Sequence, residues 1–151
     1  MIPPDLREPL QDFYRDTYDL LTHHRAHARR IGVLGPNNAY QQLIAREEAH
    51  LQWIADAIGT AGGQVPEALQ TSRDADAETG VRGGDAILSD DAERQMAFVE
   101  RWRDRVALVR EWRVRRTLEL ILGEMLEQRR AFEPRPDPGT GGTVLSARGF
   151  E

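Results

Sequence analysis

The side chains in this chain best suited to chemistry are its histidines and carboxylates, and two of them share one helical turn. Glu47 and His50 stand in Glu-x-x-His spacing within the stretch Tyr40 to Ile58. At about 100° of rotation per residue, Tyr40, Leu43, Ile44, Leu51, Ile54 and Ile58 gather on one apolar stripe. Glu47 falls at the centre of that stripe and His50 at its edge, so a carboxylate and an imidazole project side by side toward a core. An unpaired carboxylate there costs several kcal/mol or is driven to its neutral form. A divalent metal ion is the partner that engages both residues at once. The competing arrangement pairs Glu47 with an arginine such as Arg25 or Arg29 and leaves His50 an ordinary half-buried histidine.

The elements that must position these groups follow from period. Leu6, Leu10, Phe13, Thr17, Leu20, His24, His27 and Ile31 keep a 4-3 spacing, which predicts a first helix over 5–31 opened by an Asp5-x-x-Glu8 capping box. His24 is central to its inner stripe, His27 lies nearer the margin, and His23 faces away. Gly32 to Asn38 breaks the pattern, with an asparagine as the next N-cap. The second helix is therefore expected over 37–58 as an antiparallel neighbour of the first. Folding about residues 34–35 sets His24 at the depth of Glu47, and His24, Glu47 and His50 converge.

Gly59 to Pro66 ends the second helix. Residues 59–88 show no sustained period and form a connection long enough to run the length of a bundle. Ser89-Asp90-Asp91-Ala92-Glu93 supplies an N-cap signal for a third helix over 89–109, whose stripe is Gln95, Val99, Trp102, Val106 and Val109. A fourth helix over 113–132 carries Leu118, Ile121, Leu122, Met125 and Phe132 on a different face, so a break falls near Val109 to Arg113. The fold class is all-α, an antiparallel four-helix bundle over 1–133 with the second and third helices parallel, followed by a flexible tail over 134–151.

Composition narrows the chemistry. The 151 residues are 40% hydrophobic and 30% charged, the balance of an ordinary globular domain. There is no cysteine, which excludes disulfides, thiolate metal sites and cysteine nucleophiles. All 20 of the Lys+Arg residues are arginine, which excludes lysine Schiff bases. No apolar run is long enough to span a membrane, and Met-Ile-Pro-Pro-Asp lacks the parts of a signal peptide. A cytoplasmic location without membrane association is the expectation.

Displacing the chain on itself by 77 residues sets Leu43-Ile44 on Leu120-Ile121, Glu47 on Glu124 and His50 on Glu127. Two helix pairs joined by a long crossover, with Glu-x-x-His on the second helix of a pair, resemble the ferritin-like superfamily of the rubrerythrin and bacterioferritin type. The resemblance implies a di-iron or di-manganese centre held by one Glu from each of two helices and Glu-x-x-His from each of the other two. Carried over, it implies the ligands Glu47, His50, His24, Glu124, Glu127 and Glu100. His24 or His23 then replaces the first-helix glutamate, and Glu124-x-x-Glu127 replaces the second motif. Glu100 and Glu127 fall far from the apolar centres of their helices and read as solvent-facing. Iron or manganese suits such a shell, with zinc as the alternative, and oxygen or peroxide chemistry would follow, with Tyr14, Tyr18 and Tyr40 nearby.

Two other functions compete. One is a non-enzymatic helical interaction module that has lost its metal site, forming a homodimer and docking through residues 142–150. That tail broadly resembles the C-terminal peptides by which some ferritin-like cargo proteins enter protein shells. The other is nucleic-acid binding through Arg101 to Arg116, which interleaves arginines with Trp102 and Trp112. A net charge of −5 opposes it.

Overall fold

In the computed structural model, which describes residues 2–31, 34–67 and 84–132, the first periodic stretch becomes helix α1, Arg7–Arg30, entered through a 3-10 turn at Pro4–Leu6. Every residue of its 4-3 stripe is buried. The Asp5-x-x-Glu8 capping box does not form, and neither turn has a side-chain cap. Leu6 N–H is satisfied by Pro3 O at 3.1 Å instead, because consecutive prolines already fix the backbone in a helix-like φ.

Helix α2 is Leu34–Thr60, and it starts a turn before the asparagine expected to cap it. Asn37 lies inside that first turn, and its amide donates to Ala28 O at 2.9 Å and Ile31 O at 3.1 Å. It closes carbonyls at the end of α1 rather than N–H groups at the start of α2. The far end of α2 stops as its glycines require. Gly62 has φ 80° and Gly63 N–H reaches back to Ile58 O at 2.9 Å, a Schellman closure. Arg7 Nε donates to Ala61 O at 2.5 Å, which ties the start of α1 to this turn.

Helix α3 is Gly84–Ala107, and α4 is Trp112–Gln128, continued by a 3-10 turn at Arg129–Phe132. Ser89, Asp90 and Asp91 are thus interior to α3 rather than its cap. The break between α3 and α4 falls where the change of face demands it. Its signal is Glu111, whose carboxylate accepts Val114 N–H at 2.7 Å.

Side-chain pairs fix the directions. Residues 24 and 25 of α1 meet 47 and 48 of α2, while residue 7 meets 61. Along α3, residue 91 meets 27, 102 meets 16 and 105 meets 12. Both helices run antiparallel to α1, so α2 and α3 run parallel to each other. The expected crossover at 59–88 lies partly outside the described residues, as does the tail 134–151. Among the described residues no helix is long and apolar enough to cross a membrane.

The all-α four-helix bundle buries two apolar clusters. One centres on Leu10, Phe13, Ile54, Ile58, Phe98, Trp102 and Ile121; the other on Leu21, Tyr40, Leu43, Ile87 and Phe132. Phe13 packs edge-on against Phe98 and Trp102 at 5.4 and 4.8 Å between centroids, and each fully buried ring contributes about 2 kcal/mol or more. Trp102 is therefore core, and Arg105 stacks over its ring at 4.2 Å. Beside the second cluster the interior turns polar, where His24 packs against Tyr40 and Phe132.

Candidate metal centre

Each helix delivers polar groups to that layer. Helix α1 brings His24 and His27, because both continue the inner stripe of Leu20 and Ile31. Helix α2 brings Tyr40, Glu47 and His50. Helix α3 brings Asp91 and Gln95, two turns and one turn ahead of Phe98 and Val99 on the same face. All seven side chains are fully buried. Helix α4 brings Glu124, which is partly exposed.

Their hydrogen bonds fall into three groups. His24 Nδ1 lies 2.5 Å from Glu47 Oε1. His27 Nδ1 lies 2.6 Å from Asp91 Oδ2, the oxygen that also accepts the Tyr40 hydroxyl. His50 Nε2 bonds to Glu124 Oε2, and Arg46 grips the same carboxylate with Nε at 2.8 Å and Nη2 at 2.5 Å. A carboxylate only accepts, so each imidazole donates from its bonded nitrogen.

Electrostatics separate the histidines. Burial disfavours the charged form of His24, but the charge and hydrogen bond of Glu47, aided by Asp91, outweigh it and raise its pKa above 6.5. Burial lowers the pKa of His50, and its bond to Glu124 does not compensate. Arg46 adds to the effect of burial: its positive charge also lowers the His50 pKa, while its hydrogen bonds hold the Glu124 carboxyl at about 2. Burial, reinforced by Asp91, pushes the Tyr40 phenol far up, and it remains a donor.

The bonded atoms leave a second set unused. His24 Nε2, His27 Nε2, Glu47 Oε2, His50 Nδ1, Asp91 Oδ1 and Gln95 Oε1 are all buried without a hydrogen-bond partner. Buried polar atoms in native proteins are nearly always satisfied, so these six call for partners. In metal sites a histidine ligand typically uses one nitrogen for the metal and donates the other to a carboxylate. All three imidazoles have the second half of that arrangement. The donor set of imidazole nitrogens and carboxylate oxygens therefore fits a divalent cation.

The expected ligands are only partly brought together. His24 and Glu47 pair directly, in place of the alternative arginine; Arg25 pairs with Glu48 at 3.1 Å. His50 turns toward Glu124. Among the described residues, the set of three whose ligand atoms all lie within 4.8 Å of one another is His27, Asp90 and Asp91, not His24, Glu47 and His50. Glu100 and Glu127 are exposed and outside the layer. His23, expected to face away, is 7% exposed and sits 3.0 Å from Asp19 O through Nδ1. Thr22, Ala26 and Ala28 around it are buried as well, so little of the circumference of α1 reaches solvent there. Asp91 is the principal residue that sequence reasoning missed. Its signal was present: extending the Gln95–Val99–Trp102 stripe back one turn arrives at Asp91.

Fold and site together define an all-α four-helix bundle with a buried histidine–carboxylate layer. Comparison of the chain with protein-family models, with curated proteins and with solved structures found no match.

Proposed function

We propose that this protein is a ferritin-like metal-binding bundle whose polar layer holds iron or manganese, with zinc the alternative. The observation that carries the reading is the set of buried, unpartnered donor atoms on His24, His27, Glu47, His50 and Asp91. Of the layer's residues, His27 and Asp91, with Asp90, would hold the metal directly, since their ligand atoms all lie within 4.8 Å of one another; His24, Glu47 and His50 supply the other buried donors. Iron or manganese, when bound, supplies one-electron chemistry toward oxygen or peroxide.

The surrounding residues orient the ligands. Glu47 and Asp91 each accept a histidine Nδ1–H and so fix the tautomer that leaves Nε2 with a lone pair. Glu124 does the same for His50 from the opposite nitrogen, and Arg46 holds Glu124 in place. Because His24 has a raised pKa, a metal at its Nε2 competes with a proton more strongly than at an ordinary histidine. Seven of the layer's side chains are shut off from solvent, with Glu124 at its exposed edge.

A second reading, a metal-free interaction module, draws on a different observation. Every imidazole in the layer already has a carboxylate partner, so the layer can neutralise its own charge. Elemental analysis of protein purified without chelator, followed by thermal unfolding with added iron, manganese or zinc at pH 7.5, separates the two. The metal reading expects near-stoichiometric metal and a Tm that rises with its concentration. If all three metals leave Tm unchanged, the metal-free module is the function that stands.

A further inference from the structure

We propose that the chain forms a dimer through the solvent face of α4, packed antiparallel on the same helix of a second copy. Arg116, Leu120, Gly123 and Glu127 recur at 4-3-4 spacing and lie within one narrow stripe of α4. All four are exposed, Leu120 by 54%. None belongs to the polar layer, so the proposal is independent of the metal reading.

Three features of the stripe select its partner. Gly123 sits in mid-helix, where glycine is disfavoured. A Cβ there would meet nothing within 4 Å, so nothing in its own fold requires a glycine; a neighbouring helix approaching closely would. Leu120, one turn away, is a large apolar side chain that its own bundle leaves in water. Arg116 and Glu127 flank the two, and neither side chain has an ion-pair partner among the described residues.

An antiparallel two-fold pairing uses all of this in one register. When Leu120 of one copy faces Gly123 of the other, Arg116 faces Glu127, and the two-fold axis repeats both contacts. The leucine fills the space above the glycine and lets the helices approach, while two opposite-charge pairs close the ends. A parallel pairing would set Arg116 on Arg116 and Glu127 on Glu127, which repel. Leu120 also borders an apolar groove with Ile2, Leu10, Trp53, Ile54 and Leu118, which extends the surface beyond the helix itself. The contact is at the small end of specific interfaces, so the dimer should be concentration-dependent.

Sedimentation equilibrium of the full chain at loadings of roughly 5 to 500 µM tests the proposal. The parent should move from monomer toward dimer across that range. Arg116→Glu alone and Glu127→Arg alone should each be monomeric throughout, because each places like charges opposite one another. An equimolar mixture of these two variants should dimerise at least as well as the parent, since both end contacts are then oppositely charged. Gly123→Leu, which the monomer accommodates in open space, should abolish the dimer while far-UV circular dichroism shows an intact helix. A parent that stays monomeric overturns the proposal. So does a dimer insensitive to either charge reversal, a mixture that fails to associate, or a Gly123→Leu chain that still dimerises.

Discussion

Glu47→Gln tests the buried pair that joins α1 to α2. The substitution keeps the volume and an oxygen that can accept the His24 Nδ1–H, but it removes the charge. In the parent both side chains are 0% exposed and 2.5 Å apart. Burial opposes the His24 imidazolium, and Glu47 is the main influence that overcomes it. A group whose folded pKa is raised contributes stability that is full below its unfolded pKa of 6.5 and lost as pH rises through the folded value. The variant forfeits that contribution, and below 6.5 it must either bury an imidazolium without its carboxylate or fold with the ring neutral. Breaking a fully buried pair costs about 3 kcal/mol, or roughly 6 to 12 °C in Tm for a chain of 151 residues. The assay is urea unfolding of chelator-treated protein at pH 5.5 and pH 8.5. The loss should be near its full size at pH 5.5 and smaller at pH 8.5. Equal losses at both values, or the larger one at pH 8.5, would refute the reasoning.

Asp91→Asn should destabilise the metal-free protein by about 2 to 4 kcal/mol in the same assay, because one oxygen serves two buried donors, His27 and Tyr40; a loss under 0.5 kcal/mol would mean the pairing is dispensable. The Glu124 carboxyl, held at about 2 chiefly by its hydrogen bonds from Arg46, contributes stability above its unfolded value near 4.5 that is lost as pH falls toward 2. Arg46→Ala should therefore move the carboxyl-carbon NMR titration of Glu124 upward toward 4.5, and an unmoved titration would show that His50 alone sets it. Glu100→Gln and Glu127→Gln should leave both metal content and monomer stability within about 0.5 kcal/mol of the parent, since both residues are exposed. A drop in bound metal in either variant would return that residue to the site.

Periodicity placed the bundle and half of its polar layer. An unbroken 4-3 stripe in α1 and a centred glutamate in α2 leave few ways to fold, and the short link between them makes His24 and Glu47 meet. What stayed hidden were choices between two local roles for one residue type. Asp90 and Asp91 after a serine look like a cap, and Gly84 looks like a breaker, yet α3 starts at that glycine and carries Asp91 into the core. Burying Ile87 and Leu88 beneath α1 and α2 rewards the extra turn. Asn37 has the right residue type for a cap, but the unsatisfied carbonyls nearest to it belong to the preceding helix. The turn of His50 toward Glu124 depends on Arg46 reaching across from α2 to α4, which no spacing within one helix reveals.

The cross-helix polar bonds also bear on how the halves of the bundle find each other. Apolar surfaces slide past one another at modest cost, and two helical hairpins could dock one turn out of step while still covering most of their leucines and isoleucines. The bonds from His27 and Tyr40 to Asp91 and from His50 to Glu124 span the two hairpins. A slip of one turn, about 5 Å, would break all three and leave their buried groups unmatched. The layer thus acts as a vernier between α1–α2 and α3–α4, rejecting misaligned dockings that hydrophobic contact alone would tolerate.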